Sequence, residues 1–310
     1  MKKILLFPLV LFCYSGFGQN NCKNSDPIIT SPTPAGYVDP GVAQTRIDTY
    51  RMQKNQVIAG TGHKRNIDSI LYSPCGFLQL LQSVTSDSYD GLRIYFGCDT
   101  TGNKDLMLIF VPTRFAVKDQ YRIHLDDTAH CSIIVGSTNK SISVPDASRY
   151  IREFENDQLN YFTTDGQKHY SGESKPPRPI YQESNSLWYD ISILNPGIID
   201  PTTKTVGIVT YLRNLINTNA IDSIIVDFGG FEHTLPIDYE YQITLIFNYY
   251  QKGGHTVAFM TSHLLDANQL LGKRLDFIIK YLTGGNTDTG VPCPPPPSGQ
   301  QNCPGASLPQ

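Results

Sequence analysis

The sequence predicts an α+β first half, with helices followed by a mainly antiparallel sheet, and an α/β second half with alternating helices and strands. Three observations predict this. Residues 40–85 carry apolar side chains at helical spacing and precede four strand-like stretches. Residues 200–285 alternate between helix-like and strand-like patterns. Two stretches, SYDGLRIYFGCD at 88–99 and AIDSIIVDFGGF at 220–231, share period-two apolar alternation ending in Phe-Gly.

The elements follow in order. Lys2 and Lys3 lead an apolar run from Ile4 to Phe12, and small residues Ser15, Gly16 and Gly18 come next. That is the order of a secretory signal over residues 1–18, with cleavage expected after Gly18. The competing reading makes Cys13 a lipidated residue, but Phe12 stands where a small residue is needed. No later apolar run reaches the roughly 20 residues of a membrane helix. Export to the periplasm, cell surface or medium is the expectation.

Residues 19–39 read as an extended lead-in, and residues 40–143 as an α+β module. Gly41–Gln53 is expected as a helix with Val42, Ile47 and Tyr50 on one side. Asn66 is expected to cap a second helical segment through Ile67, Ile70 and Leu71. Pro74-Cys75-Gly76 interrupts that segment, and FLQLLQSV continues it. Leu92, Ile94 and Phe96 alternate with Arg93, Tyr95 and Gly97, the pattern of a half-buried strand. After the turn CDTTGNKD, LMLIFVP is apolar enough for a strand covered on both faces. YRIHLDD and CSIIVGS read as two more strands.

Residues 144–285 read as an α/β module. Asp146–Phe162 is expected as a helix, 169–186 as a long polar loop and SLWYDISIL as a strand. TKTVGIVTYLRNLINTNA places Val206, Val209, Leu212, Leu215 and Ile216 on one helix face. IDSIIVDFGGF is expected as a strand, YEYQITLIFNYYQKGG as a helix, HTVAFMTS as a strand, and a last helix is capped by Asp266. Residues 286–310 hold four consecutive prolines and cannot build a core.

The stretch GLRIYFG, between helical segments and a second apolar strand, resembles a group of small bacterial proteins with a G-[IL]-R-I-Y-F/Y-G strand. The resemblance spans about residues 40–115. It implies an α+β module there, and that group brings no assigned activity and no catalytic residues.

Eighteen Tyr, fourteen Phe and a net charge of −3 describe a globular chain without a broad nucleic-acid footprint. Six cysteines lie beyond the signal. Cys293–Cys303 is the favoured bridge and Cys98–Cys131 an alternative, among fifteen full pairings. Asp227, Glu232 and His233, at the end of a strand and around Gly229-Gly230, are the candidate acid–base groups. They do not reproduce glycosidase carboxylate spacing. The likeness of IIVDFGG to a strand of tail-processing serine proteases lacks a Ser/Lys pair. Trp188 and Tyr189 are candidate ligand-binding aromatics. His124, Asp126, Asp127 and His130 form the other titratable cluster, expected as solvated turn residues. No metal and no cofactor are expected. The leading expectation is an exported binding or structural protein without catalytic activity, its partner an envelope or extracellular protein or glycan. The alternative is an exported hydrolase using the Asp227/Glu232/His233 loop.

Overall fold

The computed structural model describes residues 22–23, 28–29, 32–52, 68–85, 88–99, 106–118, 121–156, 186–194, 198–202, 204–230, 243–250 and 256–261. The fold is α+β, with helices followed by antiparallel sheets. After β1 (Thr33–Pro34) comes α1 (Pro40–Tyr50). Asp39 caps α1 by accepting the Gly41 N–H at 2.8 Å, and Pro40 opens a turn where its missing N–H costs nothing. Ile47 and Tyr50 are buried as expected, whereas Val42 is exposed.

The expected helix through Ile67, Ile70 and Leu71 is instead strand β2 (Ser69–Tyr72). The expected interruption at Pro74-Cys75-Gly76 is the start of α2 (Pro74–Thr85). Ser73 caps it, its hydroxyl accepting the Gly76 N–H at 3.0 Å, and Pro74 takes the first position. A Cβ on Gly76 would lie 2.9 Å from the backbone of Ser137, so glycine lets the helix approach a neighbouring hairpin.

Five strands follow: β3 (Gly91–Cys98), β4 (Leu106–Lys118), β5 (Tyr121–Asp126), β6 (Ser132–Val135) and β7 (Thr138–Ser141). With β8 (Ser186–Asp190) they form an antiparallel sheet in the order β7-β6-β4-β3-β8, and β5 pairs with the far half of β4. Between β7 and β8 lies α3 (Val144–Phe154), capped by the Ser143 hydroxyl, which accepts the Asp146 N–H. Every residue of β3 is buried, against the half-buried strand expected. Leu92, Ile94 and Phe96 join the main core. The opposite face is covered by α3, where Ala147 and Ile151 pack with Tyr95, Ile109 and Val111. Alternation of apolar and polar residues reports a contrast between faces, and a helix can still cover the polar one.

The second half adds α4 (Ile191–Leu194), β9 (Ile198–Asp200), β10 (Thr205–Val206) and α5 (Ile208–Asn217). Three strands close it: β11 (Ser223–Gly230), β12 (Ile243–Tyr250) and β13 (Thr256–Thr261). The expected helix across YEYQITLIFNYYQKGG is therefore β12. The parallel order expected for this region is replaced by antiparallel pairing of β11 with β12 and of β12 with β13. Ile243, Leu245, Phe247 and Tyr249 face the main core, and Ile246 packs on the other side with Ala43 and Ile47. A run buried on both faces loses the period that separates strand from helix, and here the β-branched and aromatic content decides.

The halves exchange strands. β2 pairs with β11, and β8 pairs with β3. One buried cluster joins Phe77, Phe96 and Phe110 to Phe228 and Phe247. Cys22 is bonded to Cys75, 53 residues on, and ties the lead-in to α2. In the chain-entropy account a loop of that length contributes about 4 kcal/mol. Cys98 and Cys131 are free, correcting the pairing considered for them. Cys98 faces the main core and Cys131 the cluster under α3, on the opposite face of the sheet. Cys293, Cys303, Asp266 and the Pro-rich tail lie outside the described residues.

Candidate functional site

The polar face of β3 carries the densest group of ionisable side chains described. Arg93 is 1 % exposed, and its guanidinium donates from Nη1 to Asp126 Oδ1 and from Nη2 to the His124 carbonyl at 3.0 Å. The Tyr95 hydroxyl donates to the other Asp126 oxygen at 2.6 Å. Burial works against the charge on Arg93, but Asp126, Tyr95 and Asp90 outweigh it and raise its pKa. Burial also pushes the Tyr95 hydroxyl far above its ordinary range, so it stays a donor. Cation, carboxylate and phenol thus bond one another inside the sheet, and of the guanidinium nitrogens Nε has no partner among the described residues.

Beside it four side chains form a relay. The Trp188 indole N–H donates to Thr113 Oγ1 at 2.9 Å. The Thr113 hydroxyl donates to Asp90 Oδ1 at 2.6 Å. Asp90 Oδ2 lies 2.8 Å from His124 Nδ1, and the His124 ring stacks on Trp188 with centroids 3.9 Å apart. A carboxylate only accepts, so Nδ1 carries a proton, and in the neutral ring Nε2 is the bare nitrogen. Gly91 makes this possible: a Cβ there would meet Trp188 Nε1 at 2.5 Å and the Tyr189 carbonyl at 2.4 Å. The His124 and Asp90 side chains are 28 % and 20 % exposed, so the relay reaches the surface.

A third group gathers on Asp127. Its Oδ2 accepts from Tyr89 at 3.0 Å and from Arg114 Nη2 at 3.0 Å, and His130 Nδ1 lies 3.2 Å away. Burial would raise the Asp127 carboxyl, but the bonds from His130, Tyr89 and Arg114 hold it below the usual range. The stretch HLDDTAHC is therefore not a solvated turn. Asp126 is wholly buried, His124 and Asp127 are engaged, and among the four only His130 is largely exposed.

The sequence-predicted site divides differently. Asp227 is buried within β11, where Asn248 donates to it from the neighbouring strand. Burial raises its carboxyl pKa, partly offset by Asn248 and Arg51, while Asp68 adds to the rise. Glu232 and His233 lie outside the described residues. Trp188 and Tyr189 are both buried, which corrects their reading as open ligand platforms. Trp188 backs His124, and Tyr189 packs edge-on against Phe247 on the other face of β8. Sequence reasoning missed Arg93, Asp90 and Thr113. The available signal was an arginine inside an apolar strand, which demands a buried carboxylate from another strand.

Among the described residues no group of three or more His, Cys, Asp or Glu side chains is placed to hold a metal ion. Nor is any helix among them long and apolar enough to cross a membrane. The chain matches no protein-family model, no curated protein and no solved structure.

Proposed function

We propose that this chain is an exported protein of the cell envelope or extracellular surface that binds a glycan or a protein and does not turn over a substrate. The observation that carries this reading is the closure of the Arg93–Asp126–Tyr95 set. Its opposite charges are paired and its side chains are buried inside the sheet, so the group stiffens a scaffold and is shut off from a reacting atom. The relay that ends at His124 is mounted on that scaffold and meets solvent. The test uses the chain from Gln19 onward on arrays of envelope glycans and peptides, alongside chromogenic ester, peptide and glycoside substrates. Saturable binding without turnover is expected. Turnover of any of these substrates overturns the reading.

One observation favours the hydrolase alternative. The Asp227 carboxyl is held above the usual range, as a general acid requires. That alternative requires turnover that Asp227→Asn abolishes while the fold is kept.

A further inference from the structure

We propose that His124 is the hydrogen-bonding residue of a saccharide site, taking a sugar hydroxyl at Nε2 while the sugar ring lies against Phe115. The inference rests on the binding reading above and narrows it to one ligand class and one place.

The imidazole is prepared for this. Asp90 occupies Nδ1, and Nε2 has no partner among the described residues. The ring is held from behind by a buried indole, itself fixed through Thr113. A side chain so held loses little freedom when a ligand binds. Phe115 stands directly opposite His124 in the β4–β5 pairing, so both side chains leave the same face. Directly opposed residues bring their Cβ atoms to about 5 Å. Phe115 is 50 % exposed, a large area for a phenyl ring.

The surrounding groups select the ligand. Asp90 spends its two oxygens on Thr113 and His124, and Asp126 spends its own on Tyr95 and Arg93. Beyond these bonds the site presents Nε2 of His124 beside the half-exposed ring of Phe115. With Asp126 matched by Arg93, the Asp90 carboxylate behind His124 disfavours an anion. A neutral pyranose offers what is left to satisfy: a hydroxyl for the nitrogen and a C–H face for the ring.

The experiment uses the single tryptophan of the sequence as its reporter, since Trp188 touches the proposed contact residue. The chain from Gln19 onward is titrated with neutral cello-, chito-, malto- and xylo-oligosaccharides while indole emission is followed. A saturable change with at least one series is expected. His124→Ala and Phe115→Ala are each expected to weaken it about tenfold, the worth of one good contact. His130→Ala is expected to leave it unchanged. Phe115→Ala alters a half-exposed ring, so it keeps the test open if His124→Ala does not fold. Imidazole nitrogen NMR is expected to show a bare Nε2 that moves when the saccharide is added. An opposite tautomer, an unresponsive panel, or undiminished binding in the folded variants overturns the site. Array binding of a peptide or protein that ignores His124→Ala sinks the saccharide site and leaves the binding reading standing. Substrate turnover sinks the binding reading itself.

Discussion

Two buried aspartates sit in two sheets of this molecule and are handled in opposite ways. Asp126 meets a guanidinium and a phenol, and its charge is matched inside the protein. Asp227 meets a single amide hydrogen from Asn248, and Arg51 acts on it only as a more distant charge. The difference teaches that burial alone does not set a carboxyl's behaviour. With a cation in contact, the carboxylate has a partner of opposite charge inside the fold. With only an amide, burial raises the carboxyl pKa.

The comparison is broken most directly at the matched site. Asp126→Asn or Arg93→Met leaves one buried partner unopposed and is expected to cost about 3–5 kcal/mol in denaturant unfolding. A loss under about 1 kcal/mol means the pair is not the anchor described. Tyr95→Phe removes one bond to the same carboxylate and is expected to cost about 1.5–3 kcal/mol, with the ion pair kept. Gly91→Ala pushes a methyl into the Trp188 indole and the Tyr189 carbonyl. It is expected to cost about 1–3 kcal/mol and to shift the indole emission, because the stack on His124 must open. An unchanged spectrum would contradict the close approach.

The smallest effect is at Asp227, and its sign depends on pH. Its folded pKa is raised, so the native state keeps the proton longer than the unfolded chain. Stability is full below the ordinary carboxylate range and falls as pH rises through the raised value. Asp227→Asn is expected to stabilise the protein at about pH 8 and to change little at about pH 3. The new amide also offers a donor to Asn248 Oδ1, which has no partner among the described residues. Thermal melts at both pH values check this, and a loss of stability at the higher pH would show that the charge is wanted.

Much of the helix and strand content was legible. A helix was expected from Asp146, and α3 runs over Val144–Phe154, while Leu92, Ile94 and Phe96 announce β3, because helical spacing and alternation are local signals. The strand order was not, because pairing depends on partners far along the chain. Leu245, Phe247 and Tyr249 look as good on a buried helix as on a buried strand. The site was half legible for the same reason. HLDDTAHC stood out as a cluster, but only the strand pairing puts Asp126 under Arg93 and His124 beside Asp90. The GLRIYFG motif gains a physical meaning from the fold: one glycine makes room for an indole, and Arg and Tyr together clamp one aspartate.

The pairing of residues 69–72 with residues 224–227 also governs when this protein can fold. During synthesis β2 emerges early and must wait for β11 before its inner edge is closed. Until then the nascent chain carries an open strand edge beside an apolar helix, a species prone to wrong association. Pairings of such separation slow folding. Cutting the chain between residues 143 and 144 would give two fragments, each lacking a strand that the other holds.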